Sequence, residues 1–393
     1  MPKRILTENL LLPELLLSGF RWKQLHYFFF TKKDSPGEVC PKCATYSQSR
    51  YDKRTIRVKD SPLRNKAVTL FITKRRFYCK PCKKPFMESV SGIRKGRRTT
   101  ERYRAQVQWA CENFTDLKRV QKAMRCSSGF LYEAFYERLE LARRKRQYPW
   151  PKTIGIDEHS FRRNRRYGRT EFASLIADYK NRRVMELVQG KTTAELQQAL
   201  AHVPGRERVE HVVLDMCDSF KNFAQEFFPN AKIIADKFHV LRLLTPHLNR
   251  RRKAIAGDRR SAQIGRLLLR NAHQLDYFTR RAIWDWLAPH PELRALYLWK
   301  ERLHGFYRIK GYRRAASALT AMTDELAAAQ QKELKTLRRT LMRWRKEILA
   351  YFETGLTNGR TEGYNNLAKL IQRRAFGYKS FENYRLRLLS ACA

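Results

Sequence analysis

Three carboxylates stand in settings that invite metal-ion chemistry. Asp157 closes the apolar run Thr153-Ile154-Gly155-Ile156, and Asp215 closes Val212-Val213-Leu214. Glu362 lies far downstream, in Asn358-Gly359-Arg360-Thr361-Glu362-Gly363-Tyr364-Asn365-Asn366. Two acids at strand ends and a third on a late helix can converge on a pair of divalent ions, the arrangement that attack on a phosphodiester requires. On a helix, Glu362, Asn365, Asn366 and Lys369 share one face, which points a carboxylate at the ions and amides and an ammonium at a polyanion backbone. Asp236 also ends an apolar run, Ile233-Ile234-Ala235, and His239 follows three residues later. His239 can orient a phosphate or hydrogen-bond a carboxylate; a structural pair beneath the site is the other reading.

The elements that must position these groups alternate between strand and helix. Strand-like runs cover residues 153–157, 170–178, 183–189, 211–215 and 231–236, and helical ones 193–202 and 218–228. Three consecutive strands followed by alternating helix and strand is the order of an RNase H-like sheet. Its first and fourth strands are neighbours, which sets Asp157 beside Asp215. Two adjacent carboxylates repel unless a cation neutralises them. Between His239 and Glu362 the chain is rich in Leu, Ala, Arg and Lys, so it reads as a helical insertion before the Glu362 helix. Trp284, Trp286, Trp299 and Tyr297 there can stack on an unpaired base, but their helical spacing suits core packing better.

Four of the eight cysteines form two matched turns, Cys40-Pro41-Lys42-Cys43 and Cys79-Lys80-Pro81-Cys82. Each turn can offer two thiolates to one tetrahedral zinc. Two disulfides or redox-active pairs are the alternatives, less suited to a reducing compartment. Strand-like runs at 54–58 and 67–72 between the turns suggest a ribbon. A closed set of four thiolates leaves no open position, so the role is structural. Cys111, Cys126, Cys217 and Cys392 show no partner spacing.

The pattern turns helical from Thr99 to Arg146. Thr99 or Thr100 can cap a first helix, Asp116 opens a second, and Ser127-Ser128 caps a third. Three helices with a short final turn fit a helix-turn-helix; a plain helical linker is the alternative. Pro149 and Pro151 then punctuate the chain.

At 393 residues, with 43% hydrophobic residues, the chain can build two or three domains. Its 82 Lys and Arg against 37 Asp and Glu give a formal net charge of +45. That excess predicts a polyanionic partner, nucleic acid being the usual one. The cations nearest the DNA are expected among Lys74, Arg75 and Arg76, then Arg94, Lys95, Arg97 and Arg98, and lastly Arg143, Arg144 and Lys145. No apolar run spans a bilayer. Pro13 and Glu14 break the leucine-rich start, which is not read as a signal peptide.

Taken in order, these motifs resemble the ISL-three family of bacterial insertion-sequence transposases, within the wider DDE group. The residues carrying the resemblance are Cys40/Cys43 and Cys79/Cys82, then Ile154-Gly155-Ile156-Asp157-Glu158-His159-Ser160-Phe161, Leu214-Asp215-Met216 and Ala235-Asp236-Lys237-Phe238-His239-Val240. The run from Asn358 through Arg373-Arg374-Ala375-Phe376-Gly377-Tyr378 completes it. The resemblance covers almost the whole chain. It implies a catalytic triad of Asp157, Asp215 and Glu362, with Asp236, His239, Asn365 and Asn366 in support. Asp236 and His239 match a D-x2-H element that recurs in related transposase groups.

The resulting expectation is a multidomain α+β protein. Residues 1–96 form an N-terminal segment and zinc ribbon, and 97–148 a helix-turn-helix. An RNase H-like α/β catalytic core spans 149–240 and 353–393, interrupted by an α-helical insertion at 241–352. Expected cofactors are one structural Zn2+ and two Mg2+, replaceable by Mn2+. Asp157 is expected to bridge both ions, with Asp215 and Glu362 on either side. Expected partners are double-stranded DNA, as element ends and target, and further copies of the chain in a dimer or larger assembly; no membrane is involved. The expected location is the bacterial cytoplasm at the nucleoid. A non-catalytic DNA-binding regulator on the same scaffold, or a nuclease without strand transfer, are the rival readings.

Overall fold

The computed structural model describes residues 12–113, 116–146, 148–163, 168, 170–257 and 263–392. The chain forms two compact units, Met1–Ala142 and Arg143–Ala393. The residues expected to make a ribbon and those expected to make a helical module thus lie in one unit.

The first unit is built on strands β1 (Leu15–Lys23), β2 (His26–Lys33), β3 (Glu38–Val39), β4 (Tyr46–Ser47), β5 (Arg50–Leu63), β6 (Lys66–Cys79) and β7 (Lys84–Met87). The main sheet runs β1-β2-β6-β5, with β7 also on β6. The two ribbon strands are far longer than the apolar runs at 54–58 and 67–72 suggest, 14 residues each. Arg64 and Asn65 join them, both with positive φ. That pair makes the tight turn whose twist matches a hairpin. Leu12 and Leu15 of the leucine-rich start are buried with Phe29, Val58, Leu70 and Ile72.

Three helices follow: α1 (Glu101–Asn113), α2 (Leu117–Met124) and α3 (Ser128–Lys145). Their starts are the predicted ones. Thr100 Oγ1 accepts from the amide of Tyr103, Asp116 from Lys118, and Ser127 from Phe130. Tyr103, Val107, Val120, Leu131 and Phe135 are buried, which gives the three helices a shared apolar side.

In the second unit, β8 (Thr153–Arg163), β9 (Thr170–Asp178), β10 (Arg183–Gln189), β11 (His211–Leu214) and β12 (Lys232–Ala235) form one sheet in the order β10-β9-β8-β11-β12. The first three are antiparallel neighbours, while β8, β11 and β12 run parallel. The first and fourth strands are therefore paired. Helices α4 (Thr193–Leu200) and α5 (Asp218–Phe227) follow β10 and β11.

Among the described residues from Lys237 to Thr354 the α-helices are α6 (Lys237–Leu241), α7 (Thr245–Ala256), α8 (Gln263–Leu269), α9 (Tyr277–Leu287), α10 (Pro291–Phe306), α11 (Tyr312–Glu325), α12 (Lys332–Arg343) and α13 (Arg345–Thr354). Tyr297 and Trp299 are buried in this core and Trp286 packs against it, whereas Trp284 is exposed. Helices α14 (Gly359–Arg374) and α15 (Phe381–Ala391) complete the unit.

Strand alternation sorts the sheet residues onto two faces. Ile154, Ile156, Val212, Leu214 and Ala235 share a core with Leu196 of α4 and Phe220, Phe223 and Phe227 of α5. Val213 and Ile234 point the other way, into a core with Ala350 of α13, Ala368 of α14 and Tyr384 of α15. By the same alternation Asp157, Asp215 and Asp236 fall on the α14 face. Gly155 allows α14 to come close. A Cβ there would meet the Tyr179 ring at 2.6 Å and collide with Thr361.

Candidate active site

Ile156 pairs with Leu214, and Leu214 with Ala235, across the three parallel strands. The next residue on each strand is an aspartate: Asp157, Asp215 and Asp236. Three carboxylates therefore stand in a row at one end of the sheet, on the face covered by α14.

Asparagines of α14 and its cap hold this row. Asn365 Nδ2 donates to Asp157 Oδ2 at 2.7 Å, and the amide of Glu158 donates to Asp157 Oδ1 at 2.7 Å. Asn358 Nδ2 reaches Asp215 Oδ1 at 3.3 Å, and the Asn358 amide donates to Asp236 Oδ1 at 2.9 Å. His239 Nδ1 lies 2.9 Å from Asp215 Oδ1 and 3.0 Å from Asp236 Oδ2. Asn358 stands at the N-terminal boundary of α14, where its carbonyl accepts from the Glu362 amide at 3.0 Å, so one residue both begins that helix and holds two of the three acids.

The electrostatics follow from crowding. Burial, then the neighbouring Asp215 charge, push the Asp157 carboxyl up to about 7. Burial works against protonation of His239, but hydrogen bonds and charges from Asp215 and Asp236 prevail and push it up to about 10. An imidazolium thus offsets the carboxylates when no other cation is there. The donor set, carboxylate oxygens with one imidazole, suits a hard divalent ion. The ligand atoms of Asp215, Asp236 and His239 all lie within 4.8 Å of one another.

Glu362 sits apart from this cluster. Its side chain is half exposed, and Arg242 Nη2 is 4.0 Å from its Oε1. The face expected to unite Glu362, Asn365, Asn366 and Lys369 is divided. Thr361, Asn365 and Ala368 form its buried side, while Glu362, Asn366 and Lys369 are exposed. A cavity of about 520 Å³ opens beside the acids, lined in part by Asp215, His239, Arg242, Arg339, Arg343 and Trp344.

Residues that sequence reasoning did not single out complete the site. His159 Nδ1 is 2.9 Å from Asn365 Oδ1, and its Nε2 is 2.6 Å from Tyr384 Oη. Tyr179 Oη donates to the Thr357 carbonyl at 2.8 Å, below the start of α14. His159 and Asn358 lie inside the motifs flanking Asp157 and Glu362, which was the available signal. Tyr384 gave none.

In the first unit, Cys43 and Cys79 Sγ are 3.4 Å apart, and Cys40 and Cys82 Sγ 4.0 Å. All four sulfurs lie within 4.8 Å of one another. Tetrahedral Zn–S bonds place sulfurs about 3.8 Å apart, so the cluster has the dimensions of a four-thiolate zinc site. The separations are too long for disulfides.

Several of the cations expected to face DNA have partners within the protein. Arg75 pairs with buried Glu88 at 2.8 Å, Arg76 with Asp52, Arg94 with Glu101 at 3.3 Å, and Arg97 with Glu133 and Glu137. Lys74 is half-buried, and burial lowers its pKa. Lys95, Arg98, Arg144 and Lys145 are exposed, and Arg143 is partly so. Among the described residues, no helix is long and apolar enough to cross a membrane.

Two family profiles match this sequence. Residues 154–388 match the ISL3 transposase family, and residues 36–82 match the zinc-finger of transposase IS204/IS1001/IS1096/IS1165. The transposase for insertion sequence element IS1001 of Bordetella parapertussis is 26% identical over 370 residues, covering 90% of this chain and 88% of that protein. The transposase for insertion sequence element IS1557 of Mycobacterium tuberculosis is 28% identical over 268 residues, 58% of this chain and 57% of its own length.

Proposed function

The chain belongs to the ISL3 family of transposases, and on that footing we propose that it binds the terminal inverted repeats of an insertion sequence and cuts and joins DNA strands at Asp157, Asp215 and Glu362. One observation carries the catalytic part: three aspartates abreast on neighbouring parallel strands, under the helix that bears Glu362. The sheet order and the helix α14 beneath it support an RNase H-like core divided by a helical insertion. The three capped helices support a helix-turn-helix, and the four sulfurs support one structural Zn2+.

Asp157, Asp215 and Glu362 would hold two Mg2+ ions, with Mn2+ a workable substitute. Ions so bound supply the charge that activates a water or 3′ hydroxyl and stabilises the leaving oxygen. Asp236 has a different task. Both its oxygens are engaged, by the Asn358 amide and by His239, and the residue is 2% exposed. It anchors the start of α14 and orients His239. Asp215 keeps a carboxylate oxygen toward Asp157 and is the second ligand. Glu362 stands at the exposed edge, where the DNA backbone arrives. Arg242 stands beside it, placed to meet a phosphate oxygen. Exposed Lys95, Arg98 and Lys145 add non-specific attraction to double-stranded DNA. Two element ends must meet, so the working form is a dimer or larger assembly on DNA.

The test incubates full-length protein with Mg2+, an end-containing duplex and a target plasmid. Joined products are expected from the wild type and none from Asp215→Asn, which still binds the ends. Cleavage without joining would make the protein a nuclease. End binding without cleavage in Mg2+ or Mn2+ would make it a regulator.

A further inference from the structure

We propose that His159, Asn365 and Tyr384 form a directed hydrogen-bond relay that positions Asp157 for its metal ion, so that α15 takes part in the site without touching it. The inference rests on Asp157 being a ligand.

The direction of each bond is forced. An Asp157 that holds a metal ion is ionised and can only accept, so the Asn365 group 2.7 Å from its Oδ2 is the amide nitrogen. That leaves the Asn365 carbonyl toward His159 Nδ1, 2.9 Å away. A carbonyl cannot donate, so Nδ1 carries the ring proton. Nε2 is then the acceptor and takes the hydroxyl proton of Tyr384 at 2.6 Å. Every member is confined. His159, Asn365 and Tyr384 are 4%, 4% and 0% exposed. Phe161 stacks on the Tyr384 ring at 5.4 Å and Phe381 stands edge-on to it at 6.4 Å.

The consequence is chemical as well as structural. The Asn365 amide fixes one Asp157 oxygen, and the Glu158 amide fixes the other at 2.7 Å. Asp157 therefore presents its remaining lone pairs in one orientation. Indirect partners of this kind usually change metal affinity by about 10- to 100-fold when removed. A merely structural histidine would alter stability and leave the affinity of folded protein alone.

The two amide replacements of His159 separate these roles. The nitrogen of Asn overlays Nδ1, so His159→Asn keeps the donor to Asn365. The nitrogen of Gln overlays Nε2, so His159→Gln loses that donor while filling more of the space. Mn2+ binding to zinc-loaded full-length protein freed of other divalent ions, followed by electron paramagnetic resonance, reads the result. His159→Gln should weaken Mn2+ by about 10-fold or more. His159→Asn should stay within about fivefold of the wild type, although it leaves the larger cavity and should melt lower. Equal affinities in the two variants, or a wild-type affinity in His159→Gln, overturn the relay. If either variant does not fold, Tyr384→Phe removes one oxygen from a packed ring. It should weaken Mn2+ by about fivefold, the worth of one hydrogen bond, and an unchanged affinity again overturns the relay. Wild-type protein that binds no Mn2+, or binds it equally in Asp215→Asn, overturns the catalytic reading and the relay together. A wild-type site indifferent to His159 overturns the relay alone.

Discussion

Asp157 and Asp215 stand side by side on parallel strands, each one residue beyond the paired Ile156 and Leu214. Burial and mutual repulsion hold the Asp157 carboxyl near pKa 7. Such a pair destabilises the fold on its own and becomes favourable once a cation lies between its members. Fold stability and site function therefore pull in opposite directions at these two residues.

Asp215→Asn should expose that opposition. The amide keeps an oxygen for Asn358 and His239 and brings a donor to Asp157. We expect the metal-free variant to melt no lower than the wild type, and higher by a few degrees if about 1 kcal/mol of repulsion is relieved. Mg2+ should raise the wild-type melting temperature and leave the variant unchanged. A variant that melts well below the wild type without metal contradicts this account.

Gly155→Ala should damage the site from below. The new methyl group would meet the Tyr179 ring and Thr361, which packs at the start of α14. Overpacking of this kind costs about 1–3 kcal/mol. Because α14 carries Asn365 and Glu362 and Asn358 directly precedes it, DNA cleavage should fall further than the unfolded fraction accounts for. Denaturant titration and single-turnover cleavage on the same preparation measure the two effects.

Glu362→Gln should do the reverse. The side chain is half exposed, and its ion-pair distance of 4.0 Å to Arg242 contributes little. Stability should change by less than about 0.5 kcal/mol, as for ordinary surface substitutions. Strand cleavage should nevertheless disappear while end binding persists in a gel-shift assay. Retained cleavage would remove Glu362 from the triad.

Cysteine substitution tests the first unit. Cys43→Ser breaks a four-thiolate set whose sulfurs already lie at zinc-site separations. Zinc content should fall from one per chain toward zero, and a chelator should unfold the wild-type ribbon as folding and metal binding are linked. Full zinc occupancy in Cys43→Ser would point to a different ligand set.

The sequence made some of this visible for physical reasons. Apolar runs ending in Asp157, Asp215 and Asp236 report strands directly, because alternation and burial are local properties. Thr100, Asp116 and Ser127 announced their helices in the same way. The hairpin at β5 and β6 was underread, since its outer halves are polar and only pairing extends them. The relay from Tyr384 to Asp157 was hidden, because its links join residues more than two hundred positions apart. Arg75, Arg76, Arg94 and Arg97 show the converse limit. Their clustering announces charge, but the carboxylates that already occupy them become neighbours only in the folded unit.

The late position of α14 bears on how the protein is made. The strands carrying all three aspartates are complete by Ala235, yet Asn358, Asn365 and Glu362 follow only after eight intervening α-helices among the described residues. A ribosome therefore exposes the cysteine module and the basic clusters long before the acids can be drawn together. Translation halted anywhere among those helices would leave the three aspartates without the asparagines of α14 and its cap that hold them.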